Sequence, residues 1–471
     1  MKLVKDLAAN NASYVAQTLI RLLSTAIIAR LVTPAEMGIW TLAFSIIGLM
    51  AIFRDFGTST YVQTTSVLEP DDIRACNGIQ FGIGAILFVL FNLLASPIAT
   101  FYKEPRLANA IHLITLSFLL IPLSSVIYGS FVRDGRMRLI STIELIAQFV
   151  FYSVVTLAAY KGMSYMSAPI GLIASQIVQI SIVIYYRSPG HPMTLSLRRA
   201  AKVASLSSNA LGVAILGYIS SKASDFILPK TLGFTQSALY EKGVNSADIV
   251  NQAVNQMVGT VLMSSLRVRT EKDPDQFPRL ATVTVIAMGL IATLGASIIA
   301  FNAESFLLTL FGSQWAESES ALRIIALAIP AGCLSGYLVR LLYFKDQYRK
   351  ALRLALISKI TVIAVIALLS YQNIQVIALG VLTAELVFLG MNLYYTRDLV
   401  SWHGEIGPLL LDIAIILLIG MVSAGVIRFG QLDSTLLRFL SAAALTTALT
   451  LAYVFFLRHS RVAQIRHLLN I

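Results

Sequence analysis

The sequence has 471 residues, 57% of them hydrophobic and only 13% charged, where soluble domains carry about 25% charged residues. That composition excludes a soluble globular enzyme and a disordered chain. The apolar runs lack the strict alternation of barrel strands, which leaves a helical membrane protein. The formal charge of +12 would indicate nucleic acid in a soluble protein, but here it fits loop topology and anionic head groups. Two cysteines, Cys76 and Cys333, make no disulfide framework.

The fold class expected is an all-α polytopic membrane protein with about fourteen transmembrane helices. The spans fall near 11–31, 38–56, 78–102, 107–131, 139–160, 165–186, 206–229, 237–264, 280–301, 321–344, 352–370, 374–396, 408–428 and 435–457. Lys2 and Lys5 before span 1 mimic a signal peptide, but Arg21 interrupts the run and no clear small-residue cleavage site follows. Arg21 stands at mid-depth, where a guanidinium is costly and should face protein or water. A short turn, Val32 to Glu36, leads into span 2, and a shorter apolar piece, 304–312, precedes span 10.

The chain repeats itself. Arg30-Leu-Val-Thr-Pro-Ala-Glu-Met-Gly-Ile-Trp40 aligns with Lys230-Thr-Leu-Gly-Phe-Thr-Gln-Ser-Ala-Leu-Tyr240, which sets Arg21 on Ser221, next to Lys222. Further on, Arg133-Asp-Gly-Arg-Met-Arg138 corresponds to Lys345-Asp-Gln-Tyr-Arg-Lys350. Spans 1–6 and 7–12 therefore read as two copies in one orientation. The domain reading is an N-lobe over 1–195, a C-lobe over 196–400, spans 13 and 14 within 401–457, and an amphipathic cytoplasmic tail over 458–471. The basic stretch Arg187 to Lys202 serves as the linker. Lys and Arg outnumber by roughly threefold in alternate loops, which puts both termini in the cytoplasm.

Span 8 is the least apolar. Glu241, Asn245, Asp248, Gln252 and Asn255 recur at spacings of four and three, one face of a helix. Such a stripe faces an aqueous cavity or serves as buried helix–helix glue. Lys222 and Asp225 lie three apart and can neutralise each other. Glu241 and Lys242 sit near the outer surface, and Lys359, Glu144 and Asp412 lie close enough to inner helix ends to snorkel. Glu385, at mid-depth in span 12, is a candidate proton- or sodium-linked acid, against a plain helix–helix hydrogen bond. No G-x-x-x-x-G-K-[ST] phosphate loop is present, and the histidines are scattered, so no ATPase, metal site or cofactor is expected.

Leu31-Val-Thr-Pro-Ala-Glu-Met-Gly-Ile-Trp-Thr-Leu-Ala, Arg54-Asp-Phe-Gly-Thr-Ser-Thr-Tyr-Val-Gln63, Phe101-Tyr-Lys-Glu-Pro-Arg-Leu107 and Leu310-Phe-Gly-Ser-Gln-Trp315 resemble the polysaccharide transporter family. These are Wzx-type flippases of the multidrug/oligosaccharidyl-lipid/polysaccharide (MOP) superfamily. The resemblance implies two MATE-like six-helix lobes plus two extra C-terminal helices, around a cavity lined by spans 1, 2, 7 and 8. It implies a bacterial inner membrane transporter, not an enzyme, moving polyprenyl-pyrophosphate-linked oligosaccharide to the periplasmic leaflet by alternating access. Coupling to a proton or sodium gradient through Glu385 or Asp225, and polysaccharide polymerase machinery as a partner, follow as expectations. On that reading Arg21 with Lys222 holds the pyrophosphate, and Asn245, Asp248, Asn251, Gln252 and Asn255 face the sugars, since amides both donate and accept. Arg21 as a structural ion pair is the alternative. The rival functions are a drug exporter of the same superfamily and a membrane polymerase or ligase, which would need a larger outer loop than this chain has.

Overall fold

The computed structural model describes residues 2–65, 67–188, 192, 194–196, 198–201, 203, 211–402, 404–430 and 434–457. The tail over 458–471 and much of the linker fall outside the described residues. The described residues are helical, and they divide into two compact units, Met1–Ala238 and Leu239–Ile471.

The first unit contains α1 (Lys2–Leu31), α2 (Pro34–Asp55), α3 (Thr58–Thr64), α4 (Pro70–Tyr102), α5 (Arg106–Thr115), α6 (Ser117–Leu120), α7 (Pro122–Arg133), α8 (Met137–Tyr160) and α9 (Ser167–Tyr185). It also holds α10 (Leu211–Ser221), α11 (Ala223–Thr231) and the first residues of α12 (Gly233–Ala253). The start of α2 is written in Thr33-Pro34-Ala35-Glu36. Pro34 occupies the first turn, Glu36 N donates to Thr33 Oγ1 (3.5 Å), and Thr33 N donates to Glu36 Oε2 (3.0 Å), a reciprocal cap. Ser164, before α9, donates to the other Glu36 oxygen. The core joins Ile39, Leu42 and Ile47 of α2 to Leu87 and Phe91 of α4 and Leu107, Ile111 and Ile114 of α5.

Two glycines let later helices approach α2. A Cβ on Gly38 would sit 2.5 Å from Phe234 O, and one on Gly48 would sit 2.1 Å from the Tyr218 hydroxyl. Bare backbone at such crossings is how membrane helices gain dispersion contacts without a hydrophobic drive from lipid.

The second unit continues from α12 through a π-helical segment, Val254–Gly259, into α13 (Thr260–Lys272). Then come α14 (Phe277–Phe301), α15 (Ala303–Leu310), α16 (Ser318–Phe344), α17 (Tyr348–Leu369), α18 (Ile374–Tyr395), α19 (Ile406–Phe429) and α20 (Thr435–Leu457). α14 is buried over most of its length, and α16, α19 and α20 pack on it. Its apolar seam pairs Ile286 and Leu290 with Leu409 and Ile416. α17 is nearly bare, a face for lipid. α15 is the short piece expected ahead of span 10.

Helix boundaries recur with the sequence repeat. α1 ends at Leu31 and α11 at Thr231. α7 ends with Gly135 N on Val132 O and Arg136 N on Phe131 O; α16 ends with Asp346 N on Tyr343 O and Gln347 N on Leu342 O. Gly135 (φ 67°) and Asp346 (φ 56°) hold the same left-handed position of this cap.

Among the described residues, ten helices are long and apolar enough to cross a membrane. The pair Arg106–Leu120 and Pro122–Arg133, bent by 53° ahead of Pro122, makes eleven if it crosses as one. The expected spans 1, 7 and 8 are not among them. Span 1 is only partly described, span 7 is split at Lys222, and span 8 is too polar along its length.

Candidate functional site

In the first unit, Lys222 interrupts helix between α10 and α11 (φ −116°, ψ 14°). Its Nζ lies 3.1 Å from Asp225 Oδ2, the mutual neutralisation that their spacing allowed. Asp225 is fully buried, and Ser45 Oγ of α2 donates to the same oxygen at 2.5 Å. Lys222 remains a third exposed. Tyr218, one turn earlier, covers Gly48 of α2. Arg21 is half-buried on α1, which packs on α8, and its charge reaches Tyr152.

In the second unit, the end of α12 and the π segment gather amides. Asn251 Nδ2 donates to Asp248 Oδ1 (3.4 Å), and Asn255 Nδ2 donates to Asn251 Oδ1 (2.8 Å) and to Asn251 O (3.0 Å). Two residues that the sequence reading did not assign to the site complete the cluster. Cys333 Sγ of α16 donates to Asn251 Oδ1 (3.2 Å), and Arg340 Nη2 reaches Asn255 Oδ1 (3.4 Å). Arg340 also fills the bare side of the π segment, since a Cβ on Gly259 would lie 2.9 Å from its Nη1. The extra residue of a π turn widens the helix where polar side chains need room. Arg340 falls within the expected span 10 and belongs to the last turns of α16.

Asn245 and Gln252 are exposed, Asp248, Asn251 and Asn255 half-buried, and Glu241 buried. A Cβ on Gly332 would sit 3.5 Å from Glu385 Oε2, so Glu385 of α18 stands against α16 one residue from Cys333. Asp248, Arg340 and Glu385 are the charges around that thiol.

Several charges expected near water are enclosed. Lys242 lies over the rings of Phe311 (4.4 Å) and Trp315 (4.2 Å) and is 7% exposed. Cation–π contact replaces part of its lost hydration. Asp412 does not snorkel; it is fully buried and accepts from the Tyr453 hydroxyl at 2.6 Å, joining α19 to α20. Glu144, by contrast, stays exposed and accepts from the Tyr128 hydroxyl at 2.6 Å. Outside the spans, Arg106 grips Glu104 through two hydrogen bonds (2.8 and 2.9 Å), which holds that carboxyl below its ordinary range.

The family model described as "Polysaccharide biosynthesis protein" matches residues 27–320. The chain belongs to this family. Among its relatives is "Succinoglycan biosynthesis transport protein ExoT" of Rhizobium meliloti (strain 1021), 23% identical over 66% of this chain and 62% of the relative. Another is "Lipopolysaccharide biosynthesis protein WzxC" of Escherichia coli (strain K12), 22% identical over 64% of this chain and 62% of the relative. The match thus spans about three-fifths of each relative's length. The solved structure "Lipid II flippase MurJ, inward closed conformation" covers 96% of this chain and 99% of its own, with TM-score 0.77 and 13% identity, a likeness of fold. The apolar helices and that fold make this member of the polysaccharide biosynthesis family a multi-pass membrane protein. Lys222, Asp225 and Asn245 to Asn255 lie inside the matched stretch; Arg21, Cys333, Arg340 and Glu385 lie outside it.

Proposed function

We propose that this chain is a flippase of the bacterial inner membrane. It carries polyprenyl-pyrophosphate-linked oligosaccharide from the cytoplasmic to the periplasmic leaflet by alternating access, in concert with polysaccharide polymerase machinery and drawing on a proton or sodium gradient. The observation that carries this reading is the amide-rich turn formed by α12 and the π segment. Hydroxyl-rich ligands need partners that donate and accept, and a helix among apolar spans keeps such partners only for use. Family membership and the relatives' names, which describe succinoglycan transport and lipopolysaccharide biosynthesis, support the same substrate class.

In this mechanism Arg21 holds the pyrophosphate through its planar fork of donors, and Lys222 assists. Asn245, Asp248, Asn251, Gln252 and Asn255 take the sugars, and Glu385 or Asp225 links transport to the ion. Removing the guanidinium from a desolvated phosphate costs on the order of 2–5 kcal/mol. Arg21→Ala is therefore expected to insert normally while lipid-linked oligosaccharide accumulates on the inner leaflet, and Arg21→Lys is expected to keep part of the transport. Normal transport by Arg21→Ala overturns the phosphate role. Loss of the protein from the membrane, restored together with transport by a partner-charge swap, makes Arg21 structural.

A further inference from the structure

Away from both clusters, the first unit holds a partly open cavity of about 190 Å³ walled by α3, α7 and α9. Ser59 and Gln63 line it from α3, Ser124, Ser125 and Tyr128 from α7, and Gln176 from α9. No charged side chain is in its lining. Its volume equals about six waters at liquid density, roughly the displacement of one pyranose ring.

The hydrogen bonds behind the wall fix what the wall offers. Ser59 Oγ donates its proton to Asp55 Oδ1 (2.5 Å), and Tyr128 donates its own to Glu144 Oε1 (2.6 Å). Gln80 Nε2 donates to Ser125 Oγ (3.2 Å) and to Thr58 Oγ1 (2.6 Å). With those protons committed, Ser59 and Tyr128 turn lone pairs to the cavity. Gln176 is 8% exposed, and its Oε1 has no hydrogen-bond partner. An acceptor left bare in a membrane-embedded unit is costly, so the site calls for donors. Arg133 Nη1 ties the end of α3 to α7 through Val62 O (3.2 Å) and Thr65 O (2.6 Å), which keeps the walls fixed.

We propose that this cavity is a subsite for one uncharged sugar ring. Ring hydroxyls satisfy the acceptors of Gln176, Ser59 and Tyr128, and the Gln63 amide completes the exchange. Asp55 and Glu144, one side chain behind the wall, repel a carboxylate, so the subsite selects hexoses over uronic acids. The proposal rests on the flippase reading for the source of the sugar, but binding itself does not depend on transport.

The test uses the full chain in nanodiscs and saturation-transfer NMR with methyl glucoside, methyl galactoside and methyl glucuronide. Saturable transfer to at least one hexoside is expected, with none to the glucuronide. Gln176→Met should weaken hexoside binding by about tenfold, the worth of one hydrogen bond, whereas Arg21→Ala should leave it unchanged. Ser125→Val, which narrows the same space, carries the test if Gln176→Met does not insert. A cavity that holds water or a cation only gives no saturable hexoside signal and overturns the proposal. So does equal binding of the glucuronide, or binding indifferent to both cavity variants. Normal glycan export by Arg21→Ala with hexoside binding intact refutes the phosphate-holding reading and leaves the subsite standing.

Discussion

At the scale of the residue, Asp225 is the tightest constraint. It is fully buried, takes Lys222 at 3.1 Å and Ser45 at 2.5 Å, and belongs to a helix that breaks just before it. Asp225→Ala leaves a cation without its carboxylate. The cost is expected to be about 1–3 kcal/mol, below that of a fully buried pair because Lys222 is a third exposed. Thermal unfolding in detergent should show that loss, and Lys222→Met combined with Asp225→Leu should recover most of it. If the double variant is as unstable as Asp225→Ala, the pair is not what is lost. The pair was legible from its i, i+3 spacing; Ser45 was not, because 180 positions separate it from Asp225. Asn255 was singled out by helical period and Asn251 only as a neighbouring amide, while Cys333 and Arg340 become partners only through packing of α16.

At the scale of the element, the apolar runs placed most helices, because a bilayer demands about twenty apolar residues per crossing. The π segment left no such mark, and Arg340, which packs against it at Gly259, is 81 positions away. Val32 to Glu36 was read only as a turn, and the structure adds the Thr33–Glu36 capping box. The crossings at α2 give a paired prediction. Gly38→Ala drives a Cβ into Phe234 backbone and should destabilise by about 1–3 kcal/mol. Gly48→Ala meets only the end of Tyr218, so it should cost less, and adding Tyr218→Phe should restore near wild-type melting. Equal losses for both glycines, or no rescue by Tyr218→Phe, would show that these contacts do not set the crossing.

At the scale of the molecule, orientation follows from charge in the loops rather than from any side-chain contact. On the topology proposed from the loop charges, with both termini cytoplasmic, the turn after α7 and the turn before α14 face inward. Cysteines introduced at Asp134 and Gln276, both exposed, should resist impermeant maleimide in intact cells and react after permeabilisation. The native Cys76 and Cys333 are buried and add little background. Ready labelling of both from outside would invert the topology and the direction of transport with it. The aligned turns of the sequence repeat share a left-handed residue, Gly135 in one and Asp346 in the other.

The seat of Tyr218 on Gly48 also limits how α10 can travel. A helix advances about 1.5 Å per residue and about 5.4 Å per turn. Sliding α10 one turn along α2 would bring Phe44 or Ile52 beneath the phenol, and neither leaves the gap that a missing Cβ provides. Translation along the groove is therefore blocked by a single tooth in a single slot. The nearby interruption at Lys222 leaves swinging as the cheaper displacement, governed by a pair of backbone torsions instead of the repacking of an entire face.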